Sequence, residues 1–386
     1  MKNIAVFGST GSIGRQTLSV AKFHKDKFRV KVLAANSNTE LITQQIREFE
    51  PETVGLHDEK AAKKIASEFP NIKVVSGSEV NSLAALPDIN TVVNGVSGFS
   101  GLMPLLYALK AGKTVALANK ESIVCGHALV NESLKKYGGK ILPVDSEQSA
   151  IFQCLAGGRK SDVKKLILTA SGGMFRDFTE EQLEKVPPEM ALRHPTWSMG
   201  RKITVDSSSL FNKGLEIMEA GWLFNIRPES VEVLIHPQSV VHSMVEFRDN
   251  AVLAQMSLPD MRLAIQYALT YPERCETELD ELDLAKLASL TFYKPDTRRF
   301  PAISLAYEAF RDGNALPIAF NSANETAVSL FLEKRIGFTQ IAKGVEYAMK
   351  RISRGKILSV SDILILDAEA RALARECFDR LKRPVY

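Results

Sequence analysis

Asp145-Ser146-Glu147 and Asn212-Lys213-Gly214-Leu215-Glu216 each set carboxylates among hydroxyl, amide and ammonium groups. Three carboxylates suit a hard divalent cation such as Mg2+ or Mn2+, which takes oxygen ligands and keeps positions open for substrate oxygens. The neighbouring Ser, Asn and Lys groups suit a phosphate. Because the same chain opens with a dinucleotide-type glycine loop, the combination points to a metal-assisted, nicotinamide-dependent reduction of a phosphorylated carbonyl compound.

Each segment also has an ordinary structural explanation. Asp145 and Glu147 follow the strand end Pro143-Val144, and in an extended segment residues i and i+2 point to one side, toward a shared cation. Equally, they fit the N-cap and first-turn acids of a helix announced by Gln148-Ser149-Ala150-Ile151-Phe152. Glu216 shifts the balance toward chemistry. It stands four residues after Asn212 and three after Lys213, on one face of a helix predicted to begin near Ser209. Asp206-Ser207-Ser208-Ser209 would supply further hydroxyls and a cap at that helix's start.

Other positions carry weaker signals. Asn119-Lys120-Glu121 follows the strand Thr114 to Leu117 and falls at the carboxyl edge of a sheet, where open α/β sheets bind ligands; it is also a plain helix start. Ser171-Gly172-Gly173 is either an anion-friendly turn or a simple connection. His194-Pro195-Thr196-Trp197-Ser198-Met199-Gly200 carries one of the two tryptophans in a Pro- and Gly-containing loop. Its composition suits a flap that closes over substrate, although a lone loop histidine is more often structural. His236 and His242, flanking Pro237-Gln238-Ser239, read as structural.

The glycine loop, Gly8-Ser9-Thr10-Gly11-Ser12-Ile13-Gly14, has G-x-x-G-x-x-G spacing between a strand and a helix, so backbone N–H groups and the helix start can cradle a pyrophosphate. At the end of the second strand, where an NAD-binding unit places a carboxylate for the ribose 2'-hydroxyl, stands Ala34-Ala35-Asn36-Ser37-Asn38. No acid is there to repel a 2'-phosphate, so NADP is expected over NAD. Asn36, Ser37 and Asn38 can donate to that phosphate, and Arg15 can add charge.

The elements that position these groups follow from periodicity. Strand-length apolar runs at 4–7, 30–34, 91–93 and 114–117 alternate with helical spacing at 16–22, 40–49, 61–68 and 102–109, the pattern of a Rossmann-like, doubly wound parallel sheet. Past Asp145 the rhythm becomes α+β, with strands at 164–169, 231–235 and 240–246 and a long Gly-, Pro- and Ser-rich loop over 171–209. From Pro301 the chain reads as helices at 302–311, 323–334, 339–352 and 361–381. The expected division is a cofactor-binding domain over 1–148, a catalytic α+β domain with a flap loop over 149–280, a linker over 281–300 and a C-terminal helical bundle over 301–386. With 386 residues the chain exceeds what one core usually serves.

Composition excludes several classes. Hydrophobic residues make up 45% and charged residues 24%, and no apolar run approaches the length of a membrane span. The start goes directly into a strand, so a cytoplasmic location is expected. Four cysteines without a C-x-x-C pair offer neither a zinc nor a disulfide reading. A net charge of +4 is too small to argue for nucleic acid.

Ten motifs in order carry a resemblance: GSTGSIG from Gly8, LANKES from Leu117, PVDSE from Pro143, SGG-x-FR from Ser171, HP-x-WSMGRK from His194, VDS from Val205, NKGLE from Asn212, LIHPQS from Leu234, LPDMR from Leu258 and NSANE from Asn321. Together they resemble the 1-deoxy-D-xylulose 5-phosphate reductoisomerase family over nearly the whole length. The resemblance implies a divalent metal (Mg2+, Mn2+ or Co2+) on Asp145, Glu147 and Glu216, and a substrate phosphate on Ser171, Ser207, Asn212 and Lys213. It implies substrate contacts from Ser146 and His194, with Lys120 nearby, and catalytic roles for Lys120, Glu147 and His194. A flap around Trp197 and Met199 and NADPH contacts from Thr10, Gly11, Ser12, Ile13, Asn36, Ser37, Asn38, Asn119, Glu121 and Gly200 follow as well. The implied reaction breaks and re-forms a carbon–carbon bond to give an aldehyde, which hydride from NADPH then reduces; a homodimer is implied too. One departure is Ser37, where relatives often carry a basic residue. Two rival readings remain: a metal-free NADP-dependent dehydrogenase, which needs a catalytic Cys or a Lys/Asp pair in place of a carboxylate triad and for which Cys154 lacks an evident His partner, and a nucleotide-sensing regulator, which needs no second anion site.

Overall fold

The computed structural model describes residues 1–193 and 200–381. The chain divides into two compact units: Met1–Ile123, His127–Ser149 and Asp260–Asp280 form one, and Val124–Gly126, Ala150–Pro259 and the chain from Glu281 onward form the other.

The first unit is built on seven parallel strands, β1 (Lys2–Phe7), β2 (Phe28–Ala35), β3 (Thr53–Leu56), β4 (Lys73–Ser76), β5 (Thr91–Asn94), β6 (Thr114–Leu117) and β7 (Lys140–Pro143), in the order β4-β3-β2-β1-β5-β6-β7. Ile4, Ala5 and Val6 of β1, Val92 and Val93 of β5 and Val115, Ala116 and Leu117 of β6 are fully buried. Parallel strands covered on both faces require such apolar runs. Helices α1 (Ser12–Phe23), α2 (Thr39–Phe49), α3 (Glu59–Glu68), α4 (Leu102–Lys110) and α5 (Lys120–Tyr137) make the crossovers, and α6 (Ser146–Cys154) leaves after β7. The strand order reverses between β1 and β5, which puts the loops after those strands at the switch point where such sheets bind ligands.

The second unit contains β8 (Val163–Ala170), α7 (Glu180–Glu184), α8 (Pro188–Ala191), α9 (Arg201–Ser208), α10 (Phe211–Phe224), β9 (Val231–Ile235), β10 (Val241–Phe247) and β11 (Val252–Met256). Its sheet runs β11-β10-β8-β9, with β8 parallel to β9 and the other pairs antiparallel. The expected loop over 171–209 thus includes three helices. Short helices escape a periodicity reading because one turn or two shows no period; α7 is instead signalled by its capping box, Thr179 with Gln182. β11 was also unexpected.

Next, α11 (Met261–Thr270) belongs to the first unit. Its buried Ala264, Ile265, Ala268 and Leu269 pack toward α1, β6 and β7. Gln266 meets His24 at 3.0 Å, and Lys2 Nζ donates to the Leu269 carbonyl at 2.9 Å. The sequence reading grouped this segment with 149–280; the contacts that place it are long-range.

After α12 (Leu284–Leu287), four helices complete the second unit: α13 (Ala302–Asp312), α14 (Ala315–Leu332), α15 (Gln340–Arg351) and α16 (Val360–Leu381). α14 starts eight residues before the predicted 323, because Pro317 sits in its first turn, where a missing N–H costs nothing. It is buried along most of its length and packs against α9, α13, α15 and α16. α10 is likewise buried; an added Cβ at Gly214 would meet Phe320 Cζ at 2.6 Å, and one at Gly221 would meet Phe310 Cζ at 1.8 Å. Among the described residues no helix is long and apolar enough to cross a membrane.

Candidate functional site

The glycine loop is shaped by close backbone approach. Gly8 ends β1 at φ +77°, and a Cβ there would meet the Gly95 carbonyl oxygen at 2.7 Å. A Cβ on Gly14 would meet Gly8 O at 2.3 Å and Ser9 Cα at 2.5 Å, so α1 leaves the sheet only with glycine at that position. Gly11 is the extended N-cap and brings no side-chain cap. The first-turn N–H groups of Ser12, Ile13 and Gly14 are therefore available to a pyrophosphate. The absence of Cβ at Gly8 and Gly14 and an uncapped helix start fit a dinucleotide. Gln45 of α2, which sequence reasoning missed, is buried and donates to the Ser9 carbonyl at 2.8 Å, bracing the loop from behind.

Asn36, Ser37 and Asn38 follow β2 and are exposed, as is Arg15 on α1. Asn38 has a structural task too: its Oδ1 accepts from Leu41 N–H at 3.0 Å and caps α2, leaving its amide nitrogen to donate. Asn119 caps α5 by accepting from Ser122 N–H at 2.9 Å and donates to the Val96 and Gly98 carbonyls at 2.7 and 2.8 Å. It ties the loop after β5 to the loop after β6 at the carboxyl edge of the sheet. Glu121 sits in the first turn of α5 and accepts from Asn119 at 3.1 Å.

Lys120 and Asp145, both nearly buried, form an ion pair of 2.5 Å between the ends of β6 and β7. The Asp145 carbonyl accepts from Ser149 N–H at 2.8 Å, which makes Asp145 the residue opening α6; Ser146 donates to Glu147 at 2.6 Å in the first turn. The expected extended i, i+2 geometry is thus replaced by a helix start. Helical propensity from Ser146 onward wins, and the positive end of the helix faces the acids.

In the second unit α10 begins after Leu210, which is left-handed at φ 61° and provides no side-chain cap. The helix predicted from near Ser209 therefore starts at Phe211, and Asp206 to Ser209 do not cap it. Ser208 donates to the Thr204 carbonyl and Ser209 to the Val205 carbonyl, at 3.1 and 2.8 Å, as hydroxyls inside helices do. In the first turns of α10, Lys213 pairs with Glu216, and Asn212 also donates to Glu216. The side chains of Lys213 and Glu216 are 4% and 1% exposed. Desolvating two charges costs several kcal/mol apiece, and their attraction recovers little beyond that. Such a pair is poor stabilisation.

Beside it, Gly172 and Gly173 turn with φ +85° and +66°, and a Cβ on Gly173 would meet Ser208 Cα at 2.7 Å and Ser207 O at 2.9 Å. Ser171 Oγ accepts from Gly173 N–H at 3.2 Å. The turn after β8 thereby presses against the backbone of Ser207 and Ser208 at the end of α9, a few residues before the start of α10, which no side chain caps. His194, Trp197 and Met199 lie outside the described residues.

His236 and His242 are buried and structural. His236 Nε2 accepts from Val240 and Val241 N–H, its Nδ1 lies 2.9 Å from the Thr291 carbonyl, and its ring stacks on Phe292. No disulfide joins Cys125, Cys154, Cys275 and Cys377, and burial pushes the Cys154 thiol up to about 11. A thiol so held is a poor nucleophile at neutral pH, which argues against Cys154 as a covalent catalyst.

Three family descriptions match: "1-deoxy-D-xylulose 5-phosphate reductoisomerase" over residues 4–127, its C-terminal domain over 141–224, and "DXP reductoisomerase C-terminal domain" over 256–373. The chain is 46% identical over 379 residues to the 1-deoxy-D-xylulose 5-phosphate reductoisomerase of Chlorobaculum tepidum, covering 97% of this chain and 99% of that one. To the enzyme of Heliobacterium modesticaldum it is 50% identical over 381 residues, covering 97% of each. The Zymomonas mobilis reductoisomerase solved with NADPH superposes with a TM-score of 0.93 at 38% identity, covering 98% of this chain and 99% of that one. A DOX-P reductoisomerase solved with NADPH, fosmidomycin and magnesium also gives 0.93, at 36% identity over 99% and 100%. The chain belongs to the 1-deoxy-D-xylulose 5-phosphate reductoisomerase family.

Proposed function

We propose that Asp145, Glu147 and Glu216 hold the divalent cation of this enzyme, that Ser171, Ser207, Asn212 and Lys213 hold the substrate phosphate, and that Ser146, His194 and Lys120 contact the substrate's carbon chain. As a family member the chain is a metal-dependent, NADPH-linked enzyme that isomerises and reduces 1-deoxy-D-xylulose 5-phosphate to 2-C-methyl-D-erythritol 4-phosphate. The observation that supports the residue assignment best is the Lys213–Glu216 pair, buried at a helix start that no side chain caps. All three acids offer oxygen, the donor a hard cation takes, and ammonium groups already balance Asp145 and Glu216. When bound, the cation stabilises negative charge on the substrate's carbonyl and hydroxyl oxygens.

The chain's own residues supply the rest. Lys213, Asn212, Ser171 and Ser207 anchor the phosphate, and that remote binding energy holds the reacting carbons in place. Lys120, paired with Asp145, keeps a positive charge beside the acids. The loop after Gly8, together with Thr10 to Ile13, positions the pyrophosphate. Asn36, Ser37 and Asn38 face the 2'-phosphate, and Asn119, Glu121 and Gly200 complete the NADPH contacts. The test is loss of NADPH absorbance on addition of 1-deoxy-D-xylulose 5-phosphate, with and without Mg2+, Mn2+ or Co2+. Turnover that ignores all three metals would remove the cation from this reading.

A homodimer and a cytoplasmic location complete the proposal. β11 is an edge strand whose Val252 and Leu253 are 47% and 40% exposed. An apolar open edge suits pairing with a second copy. Light scattering of wild type and Leu253→Lys checks it; an unchanged monomer for both would oppose it. Cysteines that form no disulfide accord with a reducing compartment.

A further inference from the structure

The NSANE segment, Asn321 to Glu325, lies in the middle of α14, and the functions assigned so far leave it without a task. Helices buried at their centre are usually apolar, yet here Asn321, Ser322 and Asn324 are fully buried. Their partners lie on two different helices. Asn324 Nδ2 donates to Asp206 Oδ1 on α9 at 2.8 Å. Ser322 donates to Asp367 on α16 at 2.6 Å, and Glu325 accepts from Arg371 on α16 at 2.6 Å. Asp206 is 1% exposed, and its other oxygen lies 2.8 Å from Lys202 Nζ. A carboxylate this deeply buried is tolerable only with such partners.

The neighbour of Asp206 in sequence is Ser207, and the backbone of Ser207 and Ser208 forms the wall against which Gly173 packs. Fixing Asp206 therefore fixes the position of Ser207 and of the turn that carries Ser171. From this arrangement the structure assigns Asp206 and Asn324 as positioning residues of the substrate-phosphate site, with α14 as the rigid post that holds α9 in register. Neither residue touches substrate in this assignment; each acts through Ser207. The inference rests on the reading of Ser171, Ser207, Asn212 and Lys213 as the phosphate site.

The experiment uses full-length enzyme with NADPH and Mg2+ and compares Asp206→Asn, Asn324→Ala, their double variant, and Ser207→Ala as the direct-contact reference. Read out are substrate KM, kcat, KM for NADPH, melting temperature and competitive inhibition by inorganic phosphate. Asp206→Asn and Asn324→Ala are each expected to raise substrate KM and the phosphate inhibition constant about tenfold, with KM for NADPH within about twofold. The double variant should be no worse than about the poorer single, because both remove one link. If kcat and melting temperature fall while substrate KM and phosphate inhibition stay unchanged, the link is only structural and the assignment is overturned. If Ser207→Ala shifts neither constant, the phosphate-site reading itself fails; if Ser207→Ala shifts both and the two variants do not, the positioning role alone fails. Should Asp206→Asn not accumulate as folded protein, Asn324→Ser, which shortens the donor without adding bulk, carries the same comparison.

Discussion

In the function we propose, the glycine loop of the first unit and the α9–α10 region of the second each hold a phosphate, by opposite means. The first uses backbone: glycines where a Cβ would collide, a helix start without a cap, and a carbonyl braced by Gln45. The second uses charge taken out of water: Lys213 and Glu216 at 4% and 1% exposure, with Asp206 close by at 1%. A backbone cradle survives most side-chain changes but tolerates no added volume. A cradle of buried side chains tolerates few changes of charge, because each charge is held in place by its buried partners.

The largest expected effect tests the second region. Glu216→Gln keeps the volume and removes the charge, so kcat/KM should fall on the order of a thousandfold, while NADPH affinity measured by fluorescence titration stays within about twofold. Asp145→Asn should behave alike. Lys213→Met leaves Glu216 buried without its counter-charge and should cost about 3–5 kcal/mol of stability by denaturant unfolding, a loss that the double change Lys213→Met/Glu216→Gln largely restores. Near-normal turnover of Glu216→Gln at low Mg2+ would break the contrast between the two cradles.

Volume is the matching probe of the first region. Gly14→Ala places a Cβ 2.3 Å from Gly8 O and 2.5 Å from Ser9 Cα, both backbone atoms that cannot step aside alone. NADPH affinity should drop about ten- to a hundredfold while the Mg2+ dependence of the residual activity is retained. Equal loss of NADPH and metal affinity would mean the loop supports more than the cofactor.

The same contrast explains what could be read from the sequence. Backbone cradles announce themselves, since Gly8, Gly11 and Gly14 between an apolar strand and a helix admit few explanations, and the strands and helices around them alternate with regular periods. Burial of charge has no local signature. Asn212, Lys213 and Glu216 on one helical face look the same whether that face meets water or the protein interior, and only the tertiary burial of α10 decides. Leu210 in a left-handed conformation is invisible in sequence, so the boundary between α9 and α10 was expected near Ser209, and the cap was assigned to residues that end α9. The helix start at Asp145 and Glu147 was not legible against the extended geometry, because acids at a helix start and acids at a strand end are written with the same letters. Asp206 and Asn324 stand 118 positions apart and could be paired only in space.

A smaller effect concerns the cofactor's far end. Asn36, Ser37 and Asn38 are exposed and uncharged, so in the proposed role they would recognise a 2'-phosphate by hydrogen bonds in water, where each is modest. NADPH should still be used better than NADH. Ser37→Lys should widen the ratio of kcat/KM values about three- to tenfold, the range of an exposed charge pair rather than a buried one. Equal use of both cofactors by the wild type would remove the 2'-phosphate from the reading.

The smallest effect is expected at Cys154, and it bears on which region does the chemistry. The thiol closes α6 in a buried position, and loss of solvent lifts its pKa to about 11, against a smaller pull downward from a backbone hydrogen bond with Gln255. At pH 8 about one thiol in a thousand is ionised, so alkylation by iodoacetamide should be slow and the activity profile between pH 6 and 9 should carry no limb from this group. The direction is fixed by the shift: a raised thiol pKa keeps the neutral form through that window, and the thiolate gains only as pH approaches 11. Cys154→Ala removes a small apolar volume and should cost up to about 1 kcal/mol of stability with kcat within about twofold. A hundredfold loss of kcat in a normally folded Cys154→Ala protein, together with rapid alkylation that substrate prevents, would return covalent thiol chemistry to contention and strip the acids at the start of α6 and in α10 of their proposed central part.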